Sequence, residues 1–389
     1  MPEEAAAGES VPFARFLRYF LGLGTWGFGG PIATVGYMQR DLVEKRTWLS
    51  RRDFLDGVAL GQTMPGPLAA QVVMWVGYLQ RGALGALGTS LIFILPSFVL
   101  VLAVAVLYVQ YQGLAVVLAI FYGVAPAVMA IIAVAAVKLA RLTNQRDVRL
   151  WVISVGILAV TALTGAEIAV LFIAAGLVMV VWEAPPRFLK PGVGGNVGVL
   201  AAVPPHFSVG MGTAAAGTLL ALGLFFLKAG AFIFGSGLAI VPFLREGVVV
   251  QHGWLSERQF LDAVAMGLIT PGPVVITATF IGYLVGGFAG AGVATVAIFT
   301  PIYLGVVVPG RWFIRHRDNM RVKAFVKGAT AAAAGAIGGA TIVLARGAVV
   351  DLRTLAILLI SLLFVWRFKN REPILVLLAA VAGILLRGI

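Results

Sequence analysis

The feature that most constrains this chain is a twenty-residue motif that occurs twice. Residues 48–67 read WLSRRDFLDGVALGQTMPGP and residues 254–273 read WLSERQFLDAVAMGLITPGP, identical at 13 of 20 positions at an offset of 206. A glycine-rich apolar stretch precedes each copy, GFGGP at 27–31 and FGSG at 234–237. Because proline lacks an N–H and clashes with the preceding turn, each Pro-Gly-Pro must break a helix. Repeated helix breaks inside apolar segments are typical of transporter binding sites.

The sequence around these motifs is that of an integral membrane protein. Of its 389 residues, 60% are hydrophobic and 12% are charged. Long apolar spans that recur along the whole chain indicate membrane helices rather than an outer-membrane barrel. The spans cover about 13–37, 54–80, 83–108, 113–137, 150–163, 166–182, 211–244, 259–285, 288–308, 324–345, 354–366 and 373–387. The repeat extends beyond the motif, since PSF at 96–98 answers PIY at 301–303.

Composition excludes several classes of function. The chain has no cysteine, which rules out disulfides and thiolate metal sites, and its three histidines lack metal-ligand spacing. It contains no His-Glu-x-x-His and no Gly-x-Ser-x-Gly sequence, so we predict a protein that is not an enzyme and needs no cofactor. The net charge of +13 belongs to short loops between apolar spans. We therefore expect contact with lipid headgroups and no nucleic-acid partner.

Loop charge predicts that the two halves insert in opposite orientations, because cytoplasmic loops carry an excess of lysine and arginine. The loops at 109–113 and 163–165 have no charge, whereas their second-half equivalents at 311–323 and 367–371 are basic. The predicted fold is all-α, an inverted-topology repeat with an N-terminal repeat at 1–182, a linker at 183–210 and a C-terminal repeat at 211–389. It needs an odd number of crossings per half, so we predict about ten crossings, with each PGP segment a re-entrant hairpin. A kinked full span is the alternative.

Each Pro-Gly-Pro is expected to open a half-helix toward the middle of the membrane. The free N–H groups near Ala69–Gln71 and Val275–Thr277 would carry the positive end of the helix dipole. Two such ends, with glycines that allow close backbone approach, form an anion site. The predicted substrate-binding residues are Gly29, Gly30, Pro31, Gln62, Thr63, Pro65, Gly66, Pro67, Gln71, Lys228, Gly235, Ser236, Gly237, Thr270, Pro271, Gly272, Pro273 and Thr277. Their polar side chains would either donate to an oxyanion or satisfy the broken backbone.

Lys228 is the charged member of this set, and four carboxylates are candidates beside it. Lys228 lies about 14 residues, ~20 Å along a helix, from either end of its apolar run, too far for easy snorkelling. We predict that it holds a bound dianion; a structural pair with Asp56 or Asp262 is the alternative. These two aspartates are expected to cap the first half-helices, with proton coupling as the alternative. Glu44 and Glu246 are candidates for proton coupling or ordinary interfacial carboxylates.

The paired motifs resemble those of the chromate ion transporter (CHR) family, long-chain two-domain type. FGGP followed by W-L-x4-F-L-x3-A-L-x-Q-x2-PGP carries the resemblance, which covers essentially the whole chain. It implies a multi-pass carrier of the bacterial or archaeal plasma membrane that exports chromate, confers resistance and uses the proton motive force, with sulfate as isosteric competitor. The chain departs from the family pattern at Thr34, Ala69, Ala70, Ser236 and Leu268.

From the sequence we therefore predict a secondary transporter of a tetrahedral oxyanion, with chromate and sulfate as candidate ligands and the lipid bilayer as its surroundings. A passive anion channel and a sulfate uptake carrier are the alternatives. The sequence leaves the oligomeric state open, with a homodimer as one option.

Overall fold

The computed structural model describes residues 11–27, 30–111, 114–164, 169–185, 214–233, 237, 240–310, 312, 319–368 and 371–387, without the side chains of 30–33, 169, 214 and 215. Within these residues the fold is entirely helical. The α-helices are α1 (Phe13–Trp26), α2 (Gly30–Met38), α3 (Arg51–Thr63), α4 (Leu68–Tyr111), α5 (Ala115–Asn144), α6 (Val148–Thr164), α7 (Ala169–Glu183), α8 (Ala214–Ala231), α9 (Ile240–Arg245), α10 (Glu257–Ile269), α11 (Thr277–Val307), α12 (Met320–Ala348), α13 (Leu352–Arg367) and α14 (Glu372–Arg387). Two π-helices (Gln39–Lys45 and Glu246–Gln251) and a 3-10 turn (Val274–Ile276) complete them.

Four of these helical stretches are long and apolar enough to cross a membrane. They are Leu68–Tyr111, Ala115–Asn144, Val274–Val307 and Met320–Ala348. Shorter apolar helices cover Val148–Thr164, Val170–Glu183 and Ala216–Ala231. Together with the hydrophobic composition, they make the chain a multi-pass membrane protein.

The segment around the first PGP break (Pro65-Gly66-Pro67) is a hairpin of two half-helices. The side chain of Ser50 starts α3 by accepting the N–H of Asp53, and the helix ends at Thr63, just before the prolines. The chain then turns back, as the hydrogen bond from the Trp75 indole N–H of α4 to the Asp53 carbonyl of α3 shows, at 2.9 Å. Each arm has 13 residues before the next bend, or ~20 Å of helix. A hairpin, and not a kinked continuous helix, therefore forms here.

A second bend, with the same backbone angles, follows in each half. Arg81 and Gly82 interrupt α4 at φ/ψ of −144°/30° and 59°/−147°. Gly286 and Gly287 interrupt α11 at −141°/25° and 58°/−146°. The positive φ favours glycine at the second position of each pair. The repeat seen in the sequence is thus repeated in the backbone, and each bend divides its helix into a first arm and a second arm.

The first apolar segment of each half is also a hairpin, which differs from the single span predicted for 13–37. The α1 helix stops at Trp26 and α2 begins at Gly30, at the glycine-rich stretch. Trp48, which follows the returning arm, packs on Phe16 in the first turn of α1, with ring centroids 4.9 Å apart. The second half repeats this packing, since Trp254 lies 5.9 Å from Phe225 of α8. The chain therefore reverses between α1 and α2, whereas the sequence predicted one continuous span.

The two halves meet with their bent helices running in opposite directions. Tyr108, near the end of α4, donates to the Asp262 carboxylate near the start of α10 at 2.7 Å. Tyr303, near the end of α11, donates to the carbonyl of Ala83, just after the α4 bend, at 3.0 Å. We call the two ends of the bundle the Gly82 face and the Tyr108 face, after the residues that lie there. The first-half hairpins begin at the Gly82 face and the second-half hairpins at the Tyr108 face.

The remaining helices of each half also pack on helices of the other half. The α12 helix packs on α6 and α7, and α5 packs on α13 and α14. Gly335 of α12 lies against the Ser154 carbonyl and Gly339 against that of Leu158, so α12 and α6 run in the same direction. Glycine is required at these points because a Cβ would fall within 3 Å of the neighbouring backbone. Each half therefore completes its packing with helices of the other.

Candidate functional site

The two PGP breaks and the second glycine-rich stretch converge at the centre of the molecule. The Gly66 N–H donates to the Ile233 carbonyl at 2.6 Å, which ties the first break to the end of α8. A Cβ added to Gly237 would lie 3.5 Å from Val274 and 3.7 Å from Pro67, so this glycine sits between the two breaks. The structure thus brings together residues that are more than 200 positions apart in the sequence.

Both breaks depend on glycine for their shape. Gly66 has φ of 144° and Gly272 has φ of 96°, values in which side-chain-bearing residues are strained. Space is also missing, because a Cβ on Gly272 would come within 2.2 Å of the Ser97 hydroxyl. A Cβ on Gly66 would come within 2.9 Å of Ile302 and 2.8 Å of the Gln71 amide. The second arm of each bent helix therefore braces the break of the other half.

One polar side chain beside the breaks satisfies the interrupted backbone, and three others bond within their own turns. The Gln71 amide donates to the carbonyls of Met64 and Pro65 at 3.2 and 3.0 Å, which bridges the first break. The hydroxyls of Thr63, Thr270 and Thr277 donate to the carbonyls of Ala59, Met266 and Val274 at 2.7–2.9 Å. Gln62 is exposed. Gln71 thus fills the predicted backbone role at the first break, whereas each threonine hydroxyl donates to a carbonyl of its own turn.

The Gln71 side chain also has an acceptor, its amide oxygen, that the break does not use. Its amide oxygen is buried and, among the described residues, has no hydrogen-bond partner. Its Thr277 counterpart in the second half has no such surplus oxygen, because that position carries only a hydroxyl. The two breaks are therefore chemically unequal.

The free backbone donors differ slightly from those predicted. The N–H groups of Gln71 and Ile276 already donate to Pro67 and Pro273 carbonyls, and the Thr277 N–H is bonded within its own turn. The first-turn N–H groups that have no intrahelical carbonyl in reach belong to residues 68–70 of α4 and 274–275 of the second break. These groups carry the positive end of each half-helix dipole.

Lys228 does not point toward the breaks. It lies in the last turn of α8 on an exposed face shared with Leu220, Leu224 and Leu227, whereas Ala229 on the other side is buried. Its ammonium lies 5.8 Å from the ring centroid of Phe243. The pair with Asp262 that we considered is not formed, because that carboxylate accepts from Tyr108.

The predicted capping role of the two repeated aspartates is wrong. Ser50 and Ser256 cap α3 and α10, and Ser256 forms a reciprocal capping box with Gln259. Asp56 and Asp262 lie six residues further along, where both are buried, 7% and 2% exposed. Serine caps these helices because its short side chain reaches the N3 amide from an extended backbone.

Glu44 and Glu246 lie in the two π-helices, away from the breaks. Each accepts a hydrogen bond at 3.2 Å from a glutamine of the same π-helix, Gln39 and Gln251. Among the other predicted residues, Gly29, Gly235 and Ser236 lie outside the described part of the chain, and only the backbone of Gly30 and Pro31 is described.

Two residues that bond to the second-half hairpin were not predicted. Ser97 donates its hydroxyl proton to the Pro271 carbonyl at 2.6 Å, and Tyr108 donates to Asp262. The match between residues 96–98 and 301–303 was the signal that could have identified Ser97. Tyr108 has no such signal, since it is one aromatic residue in a long apolar helix.

Comparison with known proteins identifies the family. The chromate transporter family model matches residues 14–181 and again 220–384. The chromate transport protein of Cupriavidus metallidurans is 46% identical over 98% of this chain and 96% of its own length. The probable chromate transport protein of Synechococcus elongatus is 47% identical over 95% of both chains, and the chromate transport protein of Pseudomonas aeruginosa is 32% identical over 97% and 94%. No solved structure matches. The chain therefore belongs to the chromate transporter family, whose members are membrane transport proteins and not enzymes.

Proposed function

We propose that this protein is a secondary carrier that exports chromate across the plasma (inner) membrane, driven by the proton motive force, with sulfate as a competing analogue. The observation that carries the proposal is the meeting of the two PGP breaks around Gly237, where two half-helix N-termini face a common centre. Chromate transport is what the names of the relatives state for those proteins.

The two halves form an inverted-topology repeat in this proposal. Support comes from the antiparallel contacts of the bent helices, Tyr108 with Asp262 and Tyr303 with Ala83, at opposite ends of the bundle. A parallel repeat would put the entries of both pairs of hairpins on one face, whereas those contacts favour opposite faces. Because the first segment of each half forms a hairpin, this proposal has fewer crossings than the ten predicted from the sequence.

Charge supports the assignment of the Gly82 face to the cytoplasm. That face carries the basic groups of the first-half hairpins, of the α5–α6 loop and of the start of α12, namely Lys45, Arg46, Arg51, Arg52, Arg81, Arg141, Arg146, Arg149, Arg321 and Lys323. The Tyr108 face has a mixed set, in which Arg245 pairs with Glu257. An excess of lysine and arginine marks the cytoplasmic side.

The oxyanion is proposed to bind at the first-turn N–H groups of residues 68–70 and 274–275. Backbone donors suit an anion that must also leave, because the helix dipole supplies about half a charge at each end rather than a full ion pair. Gly66, Gly237 and Gly272 keep side chains away from that space. Lys228 remains a candidate for direct binding only if α8 turns its exposed face toward the breaks.

Transport by the purified full chain in liposomes tests the proposal. Radiolabelled chromate should accumulate against its gradient when a pH gradient is imposed, and unlabelled sulfate should compete more strongly than phosphate. A G66A variant should lose uptake, whereas G292A, which has open space around its Cβ position, should retain it. Chromate flux that follows only the membrane potential, with no response to pH, would favour a passive channel.

A further inference from the structure

A cavity of about 260 Å³ opens beside the second-half hairpin at the Tyr108 face. Its lining is Tyr108, Val117, Leu118, Phe121, Ser256, Arg258, Gln259 and Asp262. The polar groups come from the start of α10 and from α4, and the α5 side chains are apolar. A space of this size with polar walls holds several water molecules.

Asp262 lies in the wall of this cavity although it is only 2% exposed. One carboxylate oxygen accepts the Tyr108 hydroxyl at 2.7 Å. Tyr108 of α4 and Arg258 of α10 are the titratable or charged groups that act on this carboxyl within the described chain. Arg258 is exposed and is not within ion-pair distance of Asp262. The carboxyl is thus buried in the cavity wall, and among the described residues the neutral Tyr108 hydroxyl is its side-chain donor.

The α4 helix contacts both Asp262 and the second break. Tyr108 and Ser97 are 11 residues apart on α4, or ~16 Å along the helix. Ser97 donates to the Pro271 carbonyl at 2.6 Å, and Asp262 and Pro271 belong to one hairpin. The second arm of α4 is therefore attached to that hairpin at two points, one at the carboxyl and one at the break.

The residues that correspond to Tyr108 and Ser97 in the other half of the sequence have no hydroxyl groups. Asp56 is the counterpart of Asp262, but the counterpart of Tyr108 at the offset of 205 is Phe313, which has no hydroxyl. The counterpart of Ser97 is Ile302, which packs on Gly66 and has no proton to donate. Two equivalent aspartates are thus present, and the hydroxyl links through Tyr108 and Ser97 belong to the hairpin that carries Asp262.

We propose that Asp262 is the proton-coupling carboxyl, that it is loaded from the Tyr108 face through this cavity, and that α4 transmits its protonation to the second break through Tyr108 and Ser97. In each cycle a proton from cavity water binds a carboxylate oxygen of Asp262. It leaves again when the alternate conformation opens the carboxyl to the Gly82 face. The inference rests on the proposed function, since it assigns one residue and one side of the membrane to its proton coupling.

The decisive experiment compares two transport modes of the full chain in liposomes. Chromate exchange at equal pH on both sides needs no net proton movement, whereas accumulation driven by a pH gradient does. D262N should keep exchange and lose the gradient stimulation, a change on the order of tenfold for a coupling of ordinary size. D56N should keep the gradient stimulation, and so should D147N, which changes a loop carboxylate. D262E restores a carboxyl and should regain part of the response.

A second experiment tests access to the cavity. It does not depend on the folding of D262N, so it can refute the inference even if that variant is misfolded. Leu118 lines the cavity from α5, and the chain has no native cysteine. L118C should react with a membrane-impermeant thiosulfonate added from the Tyr108 face and not from the Gly82 face.

The outcomes separate the two proposals. If wild-type protein neither exchanges nor accumulates chromate, the proposed function fails. If wild-type protein shows the gradient response and D262N keeps it, or D56N alone loses it, the assignment to Asp262 is overturned. Labelling of L118C only from the Gly82 face overturns the assigned side.

Discussion

The Ser97 hydroxyl donates its proton to the Pro271 carbonyl, 2.6 Å away and 174 positions distant in the chain. Pro271 opens the second PGP break, where no helix can provide that carbonyl with a partner. One side chain of the first half thus completes the backbone of the second. This bond leads to the first prediction.

S97A should lower both stability and transport. Removing the hydroxyl leaves a buried carbonyl without its donor, which costs about 1–3 kcal/mol. Thermal unfolding in detergent and chromate uptake in liposomes measure the two effects. S90A is the matched control, because Ser90 is also buried on α4 but bonds only to the Leu87 carbonyl of its own helix. Equal melting temperatures for the two variants would refute a special role for Ser97.

G272A should be more damaging than S97A. Alanine at a φ of 96° is strained by about 1–3 kcal/mol, and its Cβ would also overlap the Ser97 hydroxyl. The double variant S97A/G272A should recover part of the stability, because it removes the overlap but not the backbone strain. Urea or thermal unfolding of the four proteins gives this double-mutant cycle. If the two substitutions change the free energy of unfolding additively, the overlap between the alanine Cβ at position 272 and the Ser97 hydroxyl does not contribute to the loss of stability.

K228A tests the direct role of the central lysine. If Lys228 holds the anion, its removal should weaken chromate binding by at least about tenfold, and K228R should restore part of it. If Lys228 only stabilises the C-terminal end of α8 and the contact with the Phe243 ring, transport by K228A should stay near wild type while its stability falls slightly. Concentration dependence of initial uptake rates separates these results. From its exposed position beside Leu224 and Leu227 we expect the second result.

Opposed insertion of the halves predicts opposite labelling of two equivalent loops. K45C and Q251C are exposed positions at the offset of 206 in a chain without cysteine. An impermeant thiol reagent should reach Q251C from outside intact cells, and K45C only in inside-out vesicles. Labelling of both from the same side would contradict the inverted repeat.

Acid should weaken a contact between the halves at the Tyr108 face. The Tyr122 hydroxyl donates to Asp351, and this bond, with those from Thr354, lowers the pKa of the Asp351 carboxyl. A carboxyl whose pKa is lowered by folding adds stability above its unfolded pKa of about 3.9 and loses it as pH falls. The melting temperature of wild type should therefore drop more on acidification than that of Y122F. Parallel curves for the two proteins would mean that the bond adds no stability.

The breaks were predictable because they follow from local chemistry, whereas the caps were predicted at Asp56 and Asp262 and lie at Ser50 and Ser256. Proline cannot continue a helix, so the ends of α3 and α10 follow directly from the Pro-Gly-Pro sequences. The hairpin of 13–45 was not predictable, because glycine permits a turn but does not require one. The rotation of α8, which sends Lys228 outward, depends on which face packs against α11. Ser97 and Tyr108 gained their roles only through contacts between halves that local sequence does not encode.

The hairpins that stop at the breaks also change how voltage acts on the cargo. Each half-helix arm is ~20 Å long, about two thirds of a ~30 Å hydrocarbon core. In the proposed carrier, the side of the breaks that is closed to water would therefore be thinner than the surrounding lipid, and the membrane potential would fall mainly across it. A dianion that moves a few ångströms past Gly237 would cross most of that potential. Small rearrangements of the breaks would therefore be enough to make transport strongly electrogenic.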